Sequence, residues 1–200
     1  MTTLKKFDTR KLVLLAVLTA IVITLQFLGT FIRFGQFSIS LVLMPIAVGA
    51  ALLGTLAGTW LGFVFGVVVL ISGDATPFLA INPAATIFIV LLKGMIAGMA
   101  AGMLYKSLEF LNKTVAAFAA ALICPIMNTG VFIAGCYFFF IPTLTEWGIA
   151  AGAVNVTAFI FLILIGANFL FELGVNLVLS PAIVRLIQYR IDMKIDSKKS

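Results

Sequence analysis

The chain has 200 residues, 63% of them hydrophobic and 10% charged, with a mean hydropathy of +1.25. Soluble domains carry about 25% charged residues, so the composition excludes an ordinary soluble domain, and the length suits a single domain. The net charge of +6 and pI near 9.6 leave nucleic acid to be considered as a partner, but the placement of the basic residues argues against it.

Crossing about 30 Å of hydrocarbon takes about 20 helical residues. A helix satisfies its own backbone in lipid, and the apolar runs lack strand-like alternation. They predict an all-α bundle of six spans at 11–29, 39–54, 58–73, 83–104, 114–140 and 158–187, in one integral membrane domain over 1–200 with short loops. Lys5, Lys6, Arg10 and Lys11 precede the first span, Lys106 and Lys113 flank the turn after the fourth, and Arg185, Arg190, Lys194, Lys198 and Lys199 close the chain. Six crossings put these 11 of the 13 basic residues on one side, which the positive-inside rule makes cytoplasmic together with both termini. The basic groups therefore read as topology signals, the bilayer is the surrounding medium, and nucleic acid is not a partner. The N-terminal stretch resembles a signal peptide but has no small-residue cleavage site, so it is expected to be retained.

The first span carries Ala16 and Ala20, one turn apart among bulky apolar residues. Glycines recur every fourth residue at 54, 58, 62 and 66, and again at 94, 98 and 102. Small residues at this spacing let backbones approach, either within the bundle or against a partner. After the first span, Arg33 stands among aromatics in an outer segment, placed either to read an acid group or to belong to an interfacial belt. After the third span come Asp74, Pro77, Asn82 and Pro83; Asn82-Pro83 reads as a break before the fourth span with Asn82 at the outer mouth.

Lys93 falls about ten residues, or roughly 15 Å, into the fourth span. Glu172 lies in the sixth, with Asn168 and Asn176 one turn to either side on the same face. Ionisable groups at membrane depth face the bundle interior and are functional candidates. Two readings fit: a structural Lys93–Glu172 pair, or a polar cavity that receives a zwitterion or a carboxylate bearing hydrogen-bonding groups. In the fifth span, Pro125 with Asn128 and Thr129 reads as a kinked pocket wall or as interhelical hydrogen bonding. Residues 142–157, with Glu146, Trp147 and Asn155, are too many to join the sixth span and are expected to form an outer segment or lid, with Trp147 at the interface.

Cys124 and Cys136 share the fifth span about 18 Å apart along its axis, too far for a disulfide. There is no histidine and no cysteine cluster, so neither a metal nor another cofactor is expected. The chain has no G-x-x-x-x-G-K-[ST] loop, no G-x-S-x-G elbow, no H-E-x-x-H and no paired intramembrane aspartates. It reads as a binding or transport protein and not an enzyme.

These features together resemble the substrate-binding S components of energy-coupling factor (ECF) vitamin transporters, over nearly the whole chain. The resemblance rests on six short-looped spans, cytoplasmic ends, a basic N-terminus leading into Ala16-Val-Leu-Thr-Ala20, and the run Gly54-Thr-Leu-Ala-Gly58-Thr-Trp-Leu-Gly62. It implies a multi-pass protein of a bacterial plasma membrane that captures a small water-soluble vitamin from outside. It also implies that release inward follows toppling and association with a transmembrane coupling subunit and two ATPases. The small pair on the first helix, here Ala16 and Ala20, would dock that coupling subunit. The implied pocket draws on Arg33, Asn82, Asn128, Trp147, Asn155, Asn168 and Glu172. Arg33 and Lys93 favour a carboxylate-bearing vitamin, with pantothenate the first choice. The competing readings are a stand-alone proton-coupled carrier, with Lys93 and Glu172 as the coupled pair, and a structural subunit of a membrane complex.

Overall fold

The computed structural model describes residues 9–31, 33–34, 37–38 and 41–196, by backbone alone at 33–34, 37–38, 167, 187 and 189–196. The helices are α1 (Thr9–Gly29), α2 (Leu43–Leu53), α3 (Thr55–Ser72), α4 (Thr76–Leu79), α5 (Pro83–Leu108), α6 (Lys113–Phe139), α7 (Ile141–Ala150), α8 (Val156–Ala158) and α9 (Gly166–Asp196), with a π-helical turn at Phe159–Leu164. A two-residue ladder pairs β1 (Arg33–Phe34) with β2 (Phe37–Ser38) antiparallel, Arg33 opposite Ser38. Among the described residues, α1, α3, α5, α6 and residues 168–186 of α9 are long and apolar enough to cross a membrane.

The expected second span departs from that pattern. Residues 39–40 lie outside the described residues, and helix covers only Leu43–Leu53, 11 residues, about 16 Å of rise and half of a hydrocarbon core. Pro45 suits this late start, because proline lacks an N–H and fits best in a helix's first turn. The helix ends at Gly54, whose φ of 97° and ψ of 176° suit glycine and strain any other residue. Most of α2 is buried, from Leu43 through Ala51.

Packing of α3 on α5 is made by backbone. A β-carbon added to Gly62 would overlap the carbonyl of Gly94, and one on Gly94 the carbonyl of Gly62; Gly58 and Gly98 oppose one another in the same way. Gly66 would meet the Val90 carbonyl at 2.8 Å, and Gly102 the backbone of Thr55. Each four-residue step along α3 thus matches a four-residue step back along α5, an antiparallel register in which the glycine stripes serve packing within the bundle. In lipid, where burial of apolar surface drives little, such contact carries helix association.

The register orders the molecule end to end. At one end lie the C-termini of α1 and α3, the N-terminus of α5, and α4 and α7. At the other lie Arg10, Lys11, Lys106 and Lys113, together with the Gln188–Tyr105 hydrogen bond that ties α9 to α5. The expected outer segment at 142–157 is helical over Ile141–Ala150, and α6 is helical through Pro125. Ala16 and Ala20 lie on the exposed face of α1, beside Val13, Val17 and Phe27, while Leu18, Val22 and Gln26 form its buried stripe.

Gly62→Ala is expected to destabilise the protein by about 1–3 kcal/mol, because the atoms its methyl meets are backbone. Gly130→Ala has nothing within 4 Å of the new carbon and is expected to be neutral or stabilising by up to about 1 kcal/mol. Thermal unfolding of the two variants in detergent checks the contrast; equal melting temperatures would refute the packing account.

Candidate functional site

A cavity of about 120 Å³ lies at the end away from Arg10, Lys11, Lys106 and Lys113, between α1, α3, α5, α6 and α9. Its polar lining is Gln26, Asp74, Thr86, Lys93, Asn128, Thr129, Asn168 and Glu172; its apolar wall includes Phe65, Phe78, Phe132, Phe140 and Phe169. The local structure explains the position. Leu43, at the start of α2, takes the Cys124 thiol on its carbonyl at 3.8 Å. The next turn of α6 brings Asn128 to the cavity wall, so the cavity opens at the level where α2 begins.

Each helix delivers its residues for a local reason. On α5, Asn82 caps the helix by accepting from the Ala85 amide at 3.1 Å, and its backbone carbonyl accepts the Thr86 hydroxyl at 2.8 Å. Thr86, Val90 and Lys93 follow on the face that meets the cavity. Ahead of α9, the π turn closes with the Ile165 amide donating to the Ile160 carbonyl at 3.1 Å. The extra residue of such a turn advances the helical phase by about 100°, and Asn168, Phe169 and Glu172 then line the cavity. Gly73 ends α3 in the left-handed conformation, and Asp74 follows it at the cavity's edge.

The electrostatics centre on Lys93. Its ammonium lies 5.5 Å from the Phe65 ring centroid and 5.1 Å from that of Phe132, within the roughly 6 Å range of a cation–π contact. The charges of Glu172 and Asp74 also act on it. Aromatic faces, in a cavity that Glu172 and Asp74 also line, thus replace part of the hydration that Lys93 forgoes at this depth. Gln26 donates to Asp74 at 2.7 Å, joining α1 to the turn after α3. The side-chain oxygens of Gln26 and Asn128 are buried and have no hydrogen-bond partner among the described residues. Phe78 is the apolar hub, edge-on to Phe132, Phe140 and Trp147 at 5.1–5.6 Å.

Of the residues singled out from the sequence, Lys93, Asn128, Asn168 and Glu172 meet in this cavity. Asn82 and Asn155 do not line it; their side chains cap α5 and α8, Asn155 accepting from the Ala158 amide at 2.8 Å. Trp147 stands behind Phe78, one layer from the cavity. Arg33 is placed by its backbone in β1, and its side chain lies outside the described structure. Gln26, Asp74, Thr86 and the phenylalanines complete the lining without having been singled out as site residues. For Gln26 a signal existed: it continues the stripe Leu18–Val22 at four-residue spacing. As an uncharged residue it escapes a search for ionisable groups. Among the described residues no group of His, Cys, Asp and Glu could hold a metal.

The model of the family described as "ECF transporter, substrate-specific component" matches residues 10–184, and the chain belongs to that family. It is a multi-pass membrane protein and the substrate-binding subunit of an ECF transporter, a component that works with a substrate and an ECF module. No curated protein and no solved structure matches the chain.

Lys93→Met and Glu172→Gln are expected to be coupled, each destabilising alone and the pair together costing less than their sum by about 1 kcal/mol. Thermal unfolding of both single variants and the double variant measures this; strict additivity would show that the two charges do not act on one another across the cavity.

Proposed function

We propose that the chain captures a small water-soluble vitamin in the cavity around Lys93 and releases it inward on association with a transmembrane coupling subunit and two ATPases. The observation that carries this reading is a partly aromatic, partly polar cavity, at the end away from Arg10, Lys11, Lys106 and Lys113, in a chain of the S-component family. In this reading the chain is one membrane unit that crosses six times, with short α2 counted as one crossing. The basic end and both termini then face the cytoplasm of a bacterial cell, and the cavity opens outward.

A carboxylate-bearing vitamin is favoured, with pantothenate the first candidate. Lys93 supplies the cation, the phenylalanines accept a branched aliphatic body, and the amide groups of Gln26, Asn128 and Asn168 suit hydroxyl and amide functions. Arg33, on the segment between α1 and α2, is assigned to the acid group as the site closes, with Asn82, Asn155 and Trp147 supporting the mouth. The exposed pair Ala16 and Ala20, flanked by Val13, Val17 and Phe27, forms a shallow track on α1 suited to the helix of a coupling subunit.

Purified protein in detergent is expected to be stabilised by one member of a panel of water-soluble vitamins, since tight binding raises stability by RT ln(1 + [L]/Kd). Titration calorimetry then gives the affinity; a panel without a hit would overturn the vitamin reading in favour of a stand-alone carrier or a structural subunit. Ala16→Leu is expected to abolish uptake in vesicles holding the complete transporter while vitamin binding by the isolated chain is unchanged. Equal loss of binding would place Ala16 inside the fold's own packing.

A further inference from the structure

The pocket implied by the family resemblance is built from outer loops and the later spans, and α1 enters that picture only as a docking helix. The structure adds a residue of α1 to the cavity. Gln26 is 2% exposed and lines the cavity, three residues before the C-terminal end of its helix at Gly29. Its Nε2 donates to the Asp74 carboxylate at 2.7 Å. A carboxylate only accepts, so the amide cannot turn over without setting two oxygens against each other. Oε1 is therefore held in one role, as an acceptor, and it is buried with no hydrogen-bond partner among the described residues. A buried acceptor without a partner is costly, and the cost is relieved by whatever brings a donor. Asn128, on α6 and 7% exposed, carries a second such oxygen in the same cavity. Lys93, by contrast, can only donate.

We infer that Gln26 is a specificity-determining residue of this site: fixed by Asp74, it accepts from a ligand hydroxyl or amide N–H. Together with Asn128 it selects vitamins that carry such donors alongside an acid or carbonyl group for Lys93. The inference rests on the vitamin-binding reading and narrows it, since a ligand presenting only acceptors at these positions leaves both oxygens unpaired. The mechanism is discrimination by an unsatisfied polar group, which rejects an analogue lacking the donor more strongly than an apolar wall would.

The test is a cycle between residue and ligand, using D-pantothenate and its O-methyl ethers; should another vitamin of the panel bind, it is paired with its own O- or N-methylated form. Wild type is expected to prefer the donor-bearing form about tenfold at one methylation position, the scale of one hydrogen bond in a buried site. Gln26→Met is expected to bind both forms with equal affinity. Asp74→Asn keeps the shape of the contact but lets the Gln26 amide turn over, so the preference should shrink in that variant too, which tests the idea even if Gln26→Met fails to fold. If Gln26→Met, or Asp74→Asn in its place, retains the full preference, the inference is overturned and the vitamin reading stands. If no vitamin binds wild type, the vitamin reading falls and takes the inference with it.

Discussion

At Gly58, Gly62, Gly94 and Gly98 the backbones of α3 and α5 touch with no side chain between them, and the cavity depends on that contact. Carbonyl oxygens occupy the positions that β-carbons would take, so the two helices are held in one register. That register sets Phe65 and Val69 of α3 opposite Val90 and Lys93 of α5, and all four line the cavity. A sheet of lipid-facing side chains offers no comparable constraint, because lipid and leucine are equally apolar partners. The close pair is the rigid wall against which the other helices arrange themselves.

The cavity lies beyond the level at which a short helix begins. With Pro45 in its first turn and its end at Gly54, α2 fills about half of the depth that its neighbours span. The other half is where the polar groups of α1, α5, α6 and α9 converge. The π turn before α9 serves the same end from the opposite side, shifting the helical phase so that Asn168 and Glu172 face inward. Departures from regular helix thus stand on two sides of the cavity, as π turns often do at functional sites.

Charge inside such a space has to be supported. Lys93 is flanked by the faces of Phe65 and Phe132 and feels the carboxylates of Glu172 and Asp74. Lys93 and Glu172 both line that space, so the two readings open at the level of sequence, ion pair and polar cavity, meet at one site. The Gln26–Asp74 bond extends that arrangement to α1, the helix whose opposite face carries Ala16 and Ala20.

Composition and the placement of charge determined the membrane class, the helical content, the approximate ends of α1, α3, α5 and α6, and the clustering of basic residues in three stretches, while the small-residue motifs of the first three spans carried the family resemblance that the family model bears out. These are local properties: a 20-residue apolar run is long enough to span whatever lies beside it. The two glycine stripes were visible as small faces, yet nothing in their spacing says that one stripe meets the other. Only tertiary structure decided that Asn82 and Asn155 cap helices while Asn128 and Asn168 line the cavity, since all four are asparagines in or beside apolar runs. It also decided that Gln26 meets Asp74 across 48 residues, and that Lys93 and Glu172 share one space. Periodicity tells which residues share a face of one helix; which helix that face meets is set by how backbones pack, and here glycine against carbonyl made the choice.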